Sequence, residues 1–123
     1  MLPRIVIVDD DPSFLATVRV VLEAEGFAVV GEALTGLDGV AIAAEVDPDL
    51  VLVDVNLPDI DGFEVANRLA GLADAPPVVL TSIRSALDFG SLIETSRARA
   101  FVTKADISGP ALAGLLDGEV GSA

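Results

Sequence analysis

Five short apolar-rich runs, at residues 5–8, 27–30, 50–53, 78–81 and 99–103, alternate along the chain with stretches whose apolar residues return at helical spacing. A near-continuous apolar run bounded by turn residues is what a strand buried on both faces requires, and strands that alternate with helices build a parallel sheet. The chain is therefore expected to be α/β, with five β/α units. The intervening helices read as follows. One starts after Asp11-Pro12-Ser13, carries Phe14, Val18, Val21 and Leu22, and stops at Gly26. The second carries Leu37, Val40, Ala41 and Ala44 and closes before Asp47-Pro48. The third opens at Asp61-Gly62 with Val65, Leu69 and Leu72 on one stripe, and Ala75-Pro76-Pro77 breaks it. A fourth, over 86–95, holds Gly90 in its interior at a cost of about 1 kcal/mol relative to alanine, so a short or mobile element is expected there. The last follows Ser108-Gly109-Pro110 and carries Leu112, Leu115 and Leu116.

Three of the apolar runs end on charge. The first runs into Asp9-Asp10-Asp11, the third into Asp54 and the fifth into Lys104. In an open parallel sheet the carboxyl ends of the strands form the rim where ligands bind. Carboxylates gathered there repel one another unless a cation lies among them, and a few hard oxygen ligands suit Mg²⁺. Lys104, the only lysine in the chain, adds a second positive charge. Together these features describe a site that holds a divalent metal and presents one aspartate to a phosphoryl group. A carboxylate attacks an anionic phosphoryl group poorly unless such charges offset the repulsion.

Composition narrows the alternatives. The 123 residues suffice for one domain, read as 1–117, with 118–123 as a tail or the start of a linker. No apolar run approaches the roughly 18 residues of a membrane span, and the amino terminus lacks the pattern of a secretory signal, so a soluble, cytoplasmic protein is expected. The absence of cysteine fits that compartment without requiring it. Twenty acidic residues against 7 basic ones, a net charge of −13, argue against nucleic-acid binding through this segment.

Four blocks, IVIVDDDP, LVLVDVNLPDIDG, PPVVLTS and AFVTKA, in this order and at these spacings, resemble the receiver domain of two-component response regulators, and the resemblance spans nearly the whole chain. It implies a flavodoxin-like, doubly wound sheet of order 2-1-3-4-5. It also implies Asp54 as phosphoacceptor from a sensor histidine kinase. Asp9 and Asp10 match the acidic pair that holds Mg²⁺ together with Asp54 and the main-chain carbonyl of Asn56. Asp11, just before Pro12, reads instead as a helix cap. Asp59 and Asp61 read as serving the turn after the acceptor. Lys104 is expected to pair with Asp54 or its phosphoryl oxygens.

For the switch hydroxyl the resemblance favours Ser82, 22 positions before Lys104, with Thr81 as second choice. With Ser82 chosen, Thr81 becomes a buried hydroxyl bonded to backbone. Phe101 matches the aromatic that turns inward when the hydroxyl moves, or else is plain core. Asn56, Ile83 and Arg84 fall at positions that tune phosphoryl lifetime, and Ile83 is bulkier than the family's usual residue. Ala105 replaces the family's common proline, which leaves the isomer of the Lys104–Ala105 peptide open.

The resemblance further implies switching of the surface formed by the fourth helix, fifth strand and fifth helix, homodimerisation on phosphorylation, and control of an output domain, a helix-turn-helix transcriptional regulator being favoured. No enzymatic turnover beyond self-phosphorylation and autodephosphorylation is expected. A stand-alone or phosphorylation-independent receiver acting by protein contact is the alternative. Asp9-x-Asp11 also fits a haloacid-dehalogenase-type phosphatase, but the later acidic pair of that family is missing. A flavin module lacks Trp or Tyr to sandwich the ring.

Overall fold

The structure, a computed structural model, describes residues 2–116. Five parallel strands, β1 (Arg4–Val8), β2 (Ala28–Ala33), β3 (Leu50–Asp54), β4 (Val78–Ser82) and β5 (Ala100–Thr103), form one sheet in the order β2-β1-β3-β4-β5. Helices α1 (Pro12–Ala24), α2 (Gly36–Val46), α3 (Gly62–Ala70), α4 (Leu92–Thr95) and α5 (Gly109–Leu116) follow the strands in turn. The flavodoxin-like order implied by the resemblance is the one observed. The tail expected at 118–123, and the domain end at 117, lie outside the described residues.

Alternation along each strand sends successive side chains to opposite faces and divides the core in two. On one face Val6, Val8, Val51, Val53, Val78 and Leu80 pack with Ala43, Val65, Ala66 and Leu69 of α2 and α3. On the other, Ile5, Ile7, Leu50, Leu52 and Val79 pack with Leu15, Val18 and Leu22 of α1 and Leu112 of α5. The central strand β3 is buried along its whole length. Its last residue, Asp54, is thus carried into the interior by the apolar run before it.

Several local expectations are corrected. On α1 the inward stripe is Leu15, Val18 and Leu22, while Val21 faces out. On α2 the buried positions are Gly36, Gly39 and Ala43, not Leu37, Ala41 and Ala44, which are exposed. The reason is spacing: a Cβ at Gly39 would lie 2.6 Å from Val8 Cγ2, so only glycine lets α2 approach β1. The stretch 86–95 is not one helix. A 3-10 turn, Ala86–Phe89, ends at Gly90 with φ +58°, and only Leu92–Thr95 is α-helical. Glycine adopts that positive φ at little steric cost and there breaks the element in two. On α5, Leu112 is fully buried, whereas the side chains of Leu115 and Leu116 are outside the described set.

Candidate functional site

The carboxyl ends of β1, β3, β4 and β5 bring the charged residues together. Asp11 caps α1, its side chain accepting from Ser13 N at 3.0 Å, and so takes no part in the cluster. Asp9, just beyond β1, is fully buried, and its Oδ1 accepts from Asp11 N at 2.9 Å. Asp10 is exposed. One carboxylate oxygen from each of Asp9, Asp10 and Asp54 falls within 4.8 Å of the others, so the cluster has the donor set of a divalent-metal site.

Asp54 is held from two sides. Asn56 N donates to its Oδ1 over a long 3.4 Å, and Gly62, the first residue of α3, packs against the strand end. A Cβ at Gly62 would lie 2.5 Å from the Asp54 carbonyl oxygen and 2.8 Å from Val55 Cα, which accounts for the Asp61-Gly62 pair. Asp61 caps α3 by accepting from Glu64 N at 2.9 Å. Asp59 does not serve the same turn. It crosses to α2, accepting from Gly36 N at 2.8 Å and Leu37 N at 2.9 Å, and these bonds hold its carboxyl below the usual range. The loop that carries Asn56 is thereby tied to the start of a neighbouring helix.

Lys104 reaches the cluster from β5. Its ammonium lies 2.8 Å from Asp9 Oδ2, as an ion pair rather than an aligned hydrogen bond, and 3.7 Å from Asp54 Oδ2. It sits closer to Asp9 than to the expected partner, Asp54. The Lys104–Ala105 peptide is trans. Phe14 of α1 packs against the core as its spacing implies, and its ring centroid also lies 4.1 Å from the ammonium, a cation–π contact that helps position the lysine. A lone lysine and an aromatic residue three positions after the acidic run were the available signal.

Burial and the neighbouring Asp9 charge push the Asp54 carboxyl up from 3.8 to about 6, against the opposing pull of Lys104. The lysine alone does not balance the acidic cluster. A divalent cation among these oxygens would supply the missing charge, so the residues present fit Mg²⁺.

The two hydroxyls at the end of β4 point to opposite faces. Thr81 pairs in register with Asp54 and, like Val79, lies on the α1/α5 face. Ser82 lies on the face of Leu80 and Phe101, and its Oγ accepts from Arg84 N at 3.1 Å. Phe101 is half-buried there, 5.7 Å from the Phe89 ring, which in turn meets Phe63 at 5.9 Å. Ser82 and Phe101 therefore share one side of the sheet. Thr81 is buried, but its Oγ1 has no hydrogen-bond partner among the described residues, contrary to the expected bond to backbone. Ile83 is 83% exposed, and Arg84 turns toward Asp88 at 3.7 Å and the Phe89 ring at 5.6 Å. Asn56 is exposed beside the cluster.

The family model for the response regulator receiver domain matches residues 5–109. The chain belongs to this family. Among curated relatives, this receiver domain is 38% identical over 104 residues to the virulence-factor transcription regulator BvgA of Bordetella pertussis, covering 85% of the chain and 50% of that protein. It is 31% identical over 81 residues to a protein-glutamate methylesterase/protein-glutamine glutaminase of Methanospirillum hungatei, covering 65% of the chain and 23% of that protein. Among solved structures, the signal receiver domain of the response regulator NarL from Mycobacterium tuberculosis superposes with a TM-score of 0.87 at 26% identity, covering 95% of this chain and 98% of that one. The receiver domain spans about half the length of the transcription regulator it matches. Among the described residues no helix is long and apolar enough to cross a membrane.

Proposed function

We propose that this receiver domain accepts a phosphoryl group from a sensor histidine kinase onto Asp54 and converts that event into a change of the surface formed by α4, β5 and α5. The observation that carries the proposal is the convergence of Asp9, Asp10, Asp54 and Lys104 from three different strand ends on one buried acceptor. Asp9, Asp10, Asp54 and the Asn56 carbonyl would hold Mg²⁺, which when bound supplies charge that offsets repulsion between the carboxylate and the phosphoryl group.

The chain's own residues supply the rest. Lys104 stands between Asp9 and Asp54, so its ammonium neutralises charge at the acceptor and meets a phosphoryl oxygen once one is attached. Ser82 leaves the Arg84 N–H to contact that phosphoryl group. Its departure frees space on the Phe101 face, and Phe101 moves inward against Phe89 and Phe63. Asn56, Ile83 and Arg84, the positions marked by the family resemblance, tune how readily water reaches the acceptor. The switch then biases two surface states through charge and packing.

Control of a transcriptional output, in a cytoplasmic protein that dimerises on phosphorylation, is the reading favoured by the relatedness to BvgA. The domain itself is not read as an enzyme beyond phosphorylation and dephosphorylation of its own aspartate. The match to a methylesterase keeps other outputs in view. Incubation with a small phosphodonor tests the acceptor reading by intact mass. The native chain should gain the mass of one phosphoryl group with Mg²⁺ and none with EDTA. Labelling that ignores EDTA would reject the metal-assisted site.

A further inference from the structure

Thr81 is the buried polar group at this rim that the phosphoacceptor reading leaves idle. The residue is 1% exposed, and its hydroxyl is buried and unpartnered among the described residues, a destabilising arrangement for a polar group. Its neighbours explain what it is for. β4 lies between β3 and β5, so Asp54, at the end of β3, and Lys104, the residue after β5, leave strands roughly 10 Å apart, twice the ~4.8 Å interstrand spacing. Lys104 brings its ammonium to 3.7 Å from Asp54 Oδ2, so its stem must cross β4. The β4 residue on that face at the register of Asp54 is Thr81. Asp54 is also under-supplied with donors, having one long bond from Asn56 N and a lysine just beyond hydrogen-bond reach.

We propose that Thr81 is a positioning residue for the Asp54–Lys104 pair, separate from the Ser82 switch. As Lys104 moves from Asp9 to Asp54, the Thr81 hydroxyl donates its proton to the Asp54 carboxylate and accepts from the lysine Nζ. A hydroxyl can do both at once, and this one lies on β4, the strand between the two. The role rests on Asp54 being the acceptor, and it predicts that the hydroxyl, not the bulk of the side chain, matters.

Thr81→Val removes the hydroxyl at nearly constant shape, and Thr81→Ser keeps it. With acetyl phosphate and Mg²⁺, Thr81→Val should be phosphorylated about tenfold more slowly than the native chain, the scale of a hydrogen bond to a charged group, and Thr81→Ser within about twofold. Urea unfolding should find Thr81→Val at least as stable as the native chain, since an unpartnered polar group is lost.

The single lysine gives a second readout. Its side-chain ammonium signal in ¹⁵N NMR, with beryllofluoride as phosphoryl mimic, should persist in native and Thr81→Ser protein and broaden by exchange with water in Thr81→Val. Equal rates and equal ammonium signals in Thr81→Val and native protein would overturn the proposal. So would equal impairment of both variants, or a Thr81→Val that unfolds more easily, since each assigns the side chain to packing. An Asp54→Asn control separates the two claims: labelling that persists there removes the acceptor reading itself, whereas its loss beside an unaffected Thr81→Val removes only the role of Thr81.

Discussion

Replacing Asp54 by asparagine should stabilise the metal-free domain, and only at pH values where the native carboxylate is ionised. Burial and the Asp9 charge raise the Asp54 carboxyl from 3.8 to about 6 in the folded state. The folded state therefore binds more protons than the unfolded chain between those values, and stability falls as pH rises through that window. Above 6 the penalty is fully present, and below 3.8 it is gone. The gap, at roughly 1.4 kcal/mol per pH unit, corresponds to about 3 kcal/mol. Asparagine remains a buried polar group and forgoes the attraction of Lys104, so a gain of about 1–3 kcal/mol is expected. Urea unfolding of both proteins in EDTA, well above pH 6 and again below 3.8, measures the difference. Adding Mg²⁺ should stabilise the native chain and shrink the gap, because ligands that bind only the folded state raise its stability. An Asp54→Asn protein less stable than native above pH 6, or a gain that persists unchanged below 3.8, would show that the ionised Asp54 carboxylate carries no such penalty.

Three further substitutions probe the frame of the site. Lys104→Met leaves the fully buried Asp9 without its cation and should destabilise the metal-free domain by about 2–4 kcal/mol in urea unfolding, with Mg²⁺ restoring part of the loss. A neutral effect would show that the ion pair does not support the resting state. Gly62→Ala drives a Cβ against the Asp54 carbonyl and should cost about 2 kcal/mol or more while also slowing phosphorylation; normal values for both would mean that α3 has room to shift. Asp59→Ala removes both acceptor bonds at the start of α2, should lower the urea midpoint, and should raise hydrogen exchange at Gly36 and Leu37; unchanged exchange there would show that the cap is dispensable.

The architecture was legible because strands buried on both faces write themselves as unbroken apolar runs, and the charges that end them fall at the rim by topology. Asp9, Asp10, Asp54 and Lys104 could be picked out for that reason. The cap at Asp11 was legible too, being purely local. What escaped the sequence depends on contact between distant segments. Asp59 caps a helix more than 20 residues away, and nothing in its immediate neighbours announces it. Phe14 fits a core stripe by spacing, and only the arrival of Lys104 from β5 reveals its second contact. The buried face of α2 was misjudged because close approach selected glycines over larger apolar residues. For Thr81 and Ser82, alternation showed that they face opposite ways, but that Thr81 pairs with Asp54 emerged only from the register between β3 and β4.

The Asp54 carboxylate is where the phosphoryl group should be found. Phosphorylation with acetyl phosphate and Mg²⁺, followed by borohydride reduction, converts an aspartyl phosphate to homoserine and marks the modified position for peptide sequencing by mass spectrometry. Homoserine at position 54, absent when Mg²⁺ is withheld, is the predicted result. Homoserine at position 9 or 10 instead, or a phosphoryl group on a residue that borohydride does not reduce, would contradict the account.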